Sequence, residues 1–232
     1  MLLGLDVGGT FTDAVIIDGH RVVATAKRRT TKDNLMNGIG EALDAVLEGY
    51  DTSNIEQVTL STTVVTNIIV EEKEQVVDLY VVTGPGRNVD DIFPVKPIYL
   101  QGYTDHRGIV VEHTPADAVR GIANMVQARS GTDLAAVSAK FGVRNPQEEL
   151  SITEELKNTY HAISNGSLLS GSLNFPRRTI SAYFNSAVTP VFTVFKKNVE
   201  DALSARNIVA PLHILKADGG SLPVEHMVSR PV

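Results

Sequence analysis

Short apolar runs rich in valine, isoleucine and leucine alternate along this chain with segments whose apolar residues recur every third or fourth position. Every strand face and helix stripe of that kind must be buried on another layer, so the alternation predicts an α/β fold built on a mixed sheet with flanking helices. Residues 2–7, 11–18 and 21–27 read as three strands, turning at Gly8-Gly9 and Asp18-Gly19. A helix over 33–48 follows, capped by Asp33, with Leu35, Ile39, Ala42, Leu43, Val46 and Leu47 on one face. "EQVTLST" and "QVVDLYVVT" read as strands on either side of a helix start at "TVVTNIIVEEK", and such continuous apolar runs predict a sheet covered on both faces.

The middle stretch "GPGRNVDDIFPVKPIYLQGYTDHRG" is rich in glycine, proline and aspartate and predicts loop, with a short hairpin near 107–112. A helix then begins with Thr114 as N-cap, Pro115 in the first turn and Asp117 at the positive helix end, and runs to about Arg129. "DLAAVSAKF", "NPQEELSITEELKNTY" and "HAISNGSLL" read as strand, helix and strand. Over 176–206 an apolar stripe through Ile180, Phe184, Val188, Val191, Phe195, Val199 and Leu203 predicts one long helix, kinked at Pro190. "PLHILKAD" is a last strand, and "GGSLPVEHMVSRPV" opens what reads as a helix.

The bulk numbers narrow the function classes. A net charge of −6 and a pI near 5.5 argue against nucleic acid or an anionic membrane as the main partner. The basic run Lys27, Arg28, Arg29 and Lys32 reads as a solvated strand end. With no cysteine, thiol catalysis and iron–sulfur ligation are excluded, and the six scattered histidines show no zinc-ligand spacing. No charged leader precedes an apolar run and no apolar stretch approaches membrane-spanning length, so the sequence predicts a soluble, cytoplasmic chain.

Chemistry concentrates at the N-terminus. The phosphate loop GxxxxGK[ST], the dinucleotide GxGxxG and the GxSxG elbow are all missing. What stands out is "DVGGTFTD" (6–13), two glycines between two aspartates within β-rich sequence. It reads either as a plain β-hairpin or as a backbone cradle for phosphate. In the second reading Gly8 and Gly9 let the main chain approach a polyphosphate, and Thr10 and Thr12 add hydroxyl donors. Asp6 is placed to hold a hydrated magnesium ion, and Asp13 to orient a nucleophile or the metal's water shell.

"LDVGGTFTD" resembles the first phosphate motif of the actin-like ATPase and sugar-kinase superfamily, and the longer form "DVGGTFTDAV" is most similar to the hydantoinase A / 5-oxoprolinase family. The blocks "KRRTT" (27–31), "STTVVTNIIVE" (61–71), "FGVRNPQEE" (141–149), "NSAVTP" (185–190) and "ADGGSL" (217–222) resemble further family motifs in the same order. The resemblance implies a ribonuclease H-like N-terminal lobe of a two-lobed, ATP- and Mg2+-using enzyme that hydrolyses cyclic amides or carboxylates ketones after phosphorylating a carbonyl oxygen. It implies Asp6 and Asp13 as catalytic residues, with Asp6 on the metal. Gly8, Gly9, Thr10 and Thr12 would line the nucleotide, and Thr62, Thr63 and Asn67 would begin a helix facing it, ordinary helix capping being the other reading of those three. It further implies a segment boundary at 170/171, a homo-oligomer, and a possible second subunit of hydantoinase B type.

Two departures qualify the transfer. Where the family carries an acidic E-x-E-R stretch, this chain has "GSLNFPRRT" (171–179), whose Arg177 and Arg178 could grip a carboxylate or phosphate or merely face solvent. The family also continues into a second glycine-rich phosphate motif and an adenosine pocket. A chain of this length is therefore expected to lack the second lobe and to be inactive alone, a natural short form or a fragment. A sugar or metabolite kinase on the same scaffold, and a non-catalytic anion-binding module, are the alternatives.

Overall fold

The computed structural model describes residues 1–31, 35–86, 90–216, 219–227 and 231. The expected cap Asp33, together with Lys32 and the first two residues of "ADGGSL", lies outside them. The chain opens with β1 (Leu2–Val7), β2 (Phe11–Asp18) and β3 (Arg21–Arg29), then α1 (Leu35–Leu47), β4 (Gln57–Thr62) and α2 (Val64–Val70). The central part comprises β5 (Asp78–Val82), β6 (Ile98–Tyr99), β7 (Tyr103–Thr104), β8 (Val110–Glu112), α3 (Ala116–Ser130), β9 (Leu134–Ala139), α4 (Gln147–Leu156), β10 (Ala162–Asn165) and α5 (Gly166–Leu169). Then come α6 (Phe175–Ser204), β11 (Leu212–Leu215), β12 (Ser221–Pro223) and α7 (Val224–Met227). Among the described residues no helix is long and apolar enough to cross a membrane.

By compactness the chain divides into one unit of residues 1–73 and 190–231 and a second of residues 74–189. These limits differ from the segment boundary expected at 170/171, because α6 serves both cores. Its residues before Pro190 pack in the second unit, and Phe192, Phe195, Val199 and Leu203 pack in the first. Pro190 is accommodated inside the helix.

The first unit is a six-stranded sheet in the order β12-β11-β4-β1-β2-β3. β1 runs antiparallel to β2 and parallel to β4. Its burial is one-sided. Leu3, Leu5 and Val7 of β1, Ala14 and Ile16 of β2 and Val58 and Leu60 of β4 pack with Ile39, Leu43 and Val46 of α1 and with the α6 residues. Each such leucine or isoleucine contributes roughly 1.5–3 kcal/mol by leaving water. Alternate residues, among them Leu2, Asp6 and Thr25, remain exposed on the other face.

The second unit holds the parallel order β10-β9-β5-β6 and, beside it, the small β7-β8 pair. Here the expectation of a sheet covered on both faces is met. Every residue of β5 and β9 is buried, between Val119 and Ala123 of α3 with Ile152 and Leu156 of α4 on one side, and Phe175, Ala182 and Tyr183 of α6 on the other. The hairpin expected near 107–112 is the β7-β8 pair, whose turn is held by Asp105 accepting from the amides of Arg107 and Ile109. Those bonds keep the Asp105 carboxyl below its ordinary pKa, the Ile109 amide most of all.

Thr114 does not cap α3. Pro115 occupies the cap position, and the Thr114 hydroxyl donates to the carbonyl of Gln101 2.6 Å away. The strand expected through 161–169 stops at Asn165 and becomes the single-turn α5, and "SLP" forms β12 before the helix expected in the last stretch opens as α7. Both misreadings are of short stretches, where periodicity has too few residues to speak.

A buried pair ties β9 to its surroundings. Glu149 accepts from the amide of Ala139 through Oε1, and from the amide and hydroxyl of Ser167 through Oε2. Arg178 donates to the carbonyls of Ala139 and Ser172 at 2.9 and 2.7 Å. Burial pushes the Glu149 carboxyl up and the Arg178 guanidinium down, each opposed by the other's charge. A carboxyl raised in the folded state binds more protons there than when unfolded. Its contribution is complete below its ordinary pKa and is lost as pH climbs through the raised value. Thermal melts from pH 4 upward should therefore show Glu149→Gln losing less stability with rising pH than the native chain does; parallel curves would refute the assignment.

Candidate functional site

The strand register of the first unit assembles a row of polar side chains. Asp6 on β1 pairs with Asp13 on β2 and with Ser61 on β4, and Asp13 pairs in turn with Lys27 on β3. Cross-strand partners point to the same face, so Ser61, Asp6, Asp13 and Lys27 line up across the sheet on the side away from the apolar core. An open groove of about 470 Å³ runs over them, floored by Gly4, Val15 and Thr59 and bordered by Leu215.

Two carboxylates directly opposite repel each other, and the row contains the relief. Lys27 Nζ lies 2.8 Å from both oxygens of Asp13 and 4.9 Å from the centre of the Phe11 ring. Asp13 is thereby engaged through both oxygens. Asp6, exposed, has no hydrogen-bond or ion-pair partner among the described residues. It is the carboxylate left open to a ligand. Sequence reasoning placed Lys27 in a solvated strand end; the signal that finds it is the two-residue period of β3, which puts Lys27 on the face of its partner Asp13.

The glycine pair closes the β1–β2 turn without any left-handed backbone, since neither glycine has positive φ. What crowds a side chain here is close approach. A Cβ on Gly8 would sit 3.1 Å from the carbonyl oxygen of Phe11, to which the Gly8 amide donates, and one on Gly9 would sit 3.3 Å from Nδ2 of Asn67. The amides of Gly9 and Thr10 have no hydrogen-bond acceptor among the described residues, and both residues are exposed. The turn thus presents two available main-chain donors, as the cradle reading requires.

Beside the turn, Gly8, Gly9, Thr63, Asn67, Glu71 and Lys73 border a second cavity of about 240 Å³. Here the capping reading of the α2 threonines is partly realised. The Thr62 hydroxyl accepts from the amide of Val64 and donates to the carbonyl of Val7. Thr63 occupies the cap position without a side-chain capping bond, and its hydroxyl accepts from Nδ2 of Asn67. Thr63, at the cap of α2, and Asn67 within it line the same cavity as the glycine turn, and Asn67 Nδ2 is the side-chain atom nearest Gly9.

Two expected site residues fall elsewhere. Thr12 is fully buried, its hydroxyl 3.0 Å from that of Thr30, because the pleat turns it to the core face while its neighbour Asp13 faces the groove. Arg178 is fully buried as part of the clamp around Ala139, and only Arg177 is exposed. The amide of Arg177 donates to Asn174 Oδ1, which caps α6.

Comparison with known proteins follows the same residues. The sequence pattern described as the hydantoinase/oxoprolinase N-terminal region matches residues 2–160. The chain belongs to the hydantoinase/oxoprolinase family. An uncharacterized protein of Methanocaldococcus jannaschii is 22% identical over 257 aligned residues, covering 99% of this chain and 37% of that protein. Among solved structures, a nucleotide-free acetone carboxylase, described as ATP-dependent, superposes with a TM-score of 0.76 at 17% identity, covering 96% of this chain and 37% of that one. An ATP-dependent caprolactamase from Pseudomonas jessenii superposes with a TM-score of 0.74 at 19% identity, covering 96% of this chain and 36% of that one. This hydantoinase/oxoprolinase-type chain therefore shares the fold of the N-terminal part of such enzymes and spans little more than a third of the length of the relatives it matches.

The two glycines separate by what they touch. Gly8→Ala presses on a backbone oxygen and should cost about 1–3 kcal/mol. Gly9→Ala presses on the end of a side chain that can give way and should stay within about 0.5 kcal/mol. Urea denaturation of the two variants measures the difference, and equal costs would contradict the close-approach reading.

Proposed function

We propose that this chain is the phosphate-gripping lobe of an ATP-dependent enzyme that activates the carbonyl oxygen of a cyclic amide or related carbonyl compound for hydrolysis. The observation that carries the reading is that, in one hairpin, the Asp6–Asp13–Lys27 row stands one rung from a glycine turn offering available amides. Family membership supports the same reading, and the relatives' ATP dependence is carried over with it.

In this reading the amides of Gly9 and Thr10 and the hydroxyl of Thr10 bind phosphate oxygens, and Thr63 and Asn67 border the same turn. Asp6 suits a magnesium ion, which takes one or two carboxylates and keeps most of its water. Magnesium and ATP together supply an electrophilic phosphoryl group and screen its charge. Lys27 holds Asp13 in a fixed orientation beside the groove, where Asp13 orients the attacking group. Arg177, exposed at the start of α6, remains the basic candidate for substrate; Thr12 and Arg178 take scaffold roles. The segment from 171 onward is read as the start of the second family segment, and the rest of a family-length protein, in a homo-oligomer or with a second subunit, would complete the enzyme.

The test is ATP turnover by a family-length protein carrying this N-terminal region. Magnesium-dependent turnover stimulated by a cyclic amide, yielding the ring-opened acid, is expected, with Asp6→Ala reducing it by about 100-fold or more. A phosphorylated product would point to a kinase on the same scaffold. Tight nucleotide binding by the present chain alone, measured by calorimetry, would favour a self-sufficient binding module. Undiminished turnover in Asp6→Ala would refute the assignment of that carboxylate.

A further inference from the structure

Parallel sheets of α/β proteins bind ligands at a set place, the crevice beyond the carboxyl ends of two neighbouring strands whose connections leave in opposite directions. In the second unit the order β10-β9-β5-β6 puts that place between β5 and β9. The chain leaves β5 for β6 on one side and leaves β9 for β10 on the other. A cavity of about 370 Å³ lies there, lined by Thr83 and Gly86 after β5, by Lys140 and Phe141 after β9, and by Asn174 and Phe175 at the start of α6. It is made entirely of second-unit residues and shares none with the Asp6 groove.

The cavity has a built floor and, among the described residues, one cation. The amide of Lys140 donates to the carbonyl of Val82, which joins the ends of β9 and β5. Just before it, Glu149 holds the amide of Ala139 and Arg178 holds its carbonyl. Phe141 is kept at φ +64, a backbone region that an aromatic residue enters only when its surroundings insist. The half-buried Lys140 has no carboxylate partner among the described residues, and its Nζ lies 5.6 Å from the centre of the Phe141 ring. A Cβ on Gly86 would come within 3.3 Å of that Nζ, so the glycine keeps the space around the ammonium open. A cation with no carboxylate partner among the described residues, set beside aromatic rings and Pro85 and Pro176, matches an anionic group carried on an apolar body.

We propose that this cavity binds a small organic carboxylate, the ammonium of Lys140 meeting the carboxylate and Phe141 and Phe175 receiving the apolar part. Asn174 and Thr83 offer further polar contacts at the rim. The proposal stands apart from the nucleotide reading, since no groove residue takes part.

Titration of the purified chain with benzoate and with hexanoate, followed by amide chemical shifts, tests it. Saturable binding of at least one probe is expected at about 10 mM or below, with uncharged benzamide about tenfold weaker than benzoate. Lys140→Gln, which keeps the length and removes the charge, should weaken binding about tenfold or more. Leu173→Trp, a change at an exposed residue on the cavity rim, should block it by filling the space. Absence of saturation with both probes, unchanged affinity in either variant, or displacement of benzoate by equimolar inorganic phosphate would overturn the proposal.

Discussion

The antiparallel pairing of β1 with β2 is the constraint on which the candidate site rests. Val7 opposite Thr12 and Asp6 opposite Asp13 are adjacent rungs of one ladder, and the pleat sends the first to the core and the second to the open face. A slip of β1 by one residue would bury the Asp6 carboxylate and expose Leu3, Leu5 and Val7, an exchange that costs both a buried charge and a lost apolar face. The buried face of the sheet, packed by α1 and the second half of α6, thereby sets the register that the polar face requires. The buried face and the candidate site are two sides of a single alternation.

The second unit solves a different problem. Its β5 and β9 are buried on both faces, so any ligand must approach from their ends. The polar residues buried there serve the ends as well. Glu149 and Arg178 are costly to desolvate, and their directions of pKa displacement record that cost. What they secure is both polar groups of Ala139, the last residue before the Lys140–Phe141 turn. Deeper in the same sheet the Tyr160 hydroxyl donates to Asp78 and lies 2.7 Å from that of Tyr80, and burial lifts the Tyr80 pKa to about 12. That cluster is fully paired with its neighbours and reads as framework.

Much of this was legible before any coordinates. The first three strands, α1, β4 and α6 lie close to where two- and three-to-four-residue spacing places them, because each has a buried face that its apolar residues trace. The DVGGTFTD segment was legible as a hairpin or a phosphate cradle, and the hairpin is what the structure shows. The turn is a hairpin turn, and its tip has amides to offer. The motif "FGVRNPQEE" was visible as a family block, but its work was not. Asn145 accepts from the Gln147 amide at the start of α4, and Glu149 reaches back to β9. Both serve the framework.

Sequence alone determined the α/β alternation, the family pattern and the identity of the acidic and glycine residues at the first turn. These depend on local periodicity and on residue types at short spacing. Tertiary structure decided which side chains share a face. Lys27 joins Asp13 only through the β2–β3 register, Thr12 leaves the site through the pleat, and Arg178 is drawn into the interior by the carbonyl of Ala139. It also decided where β9 inserts beside β5, which no local pattern encodes, because strand order follows from how the buried faces of distant segments fit together.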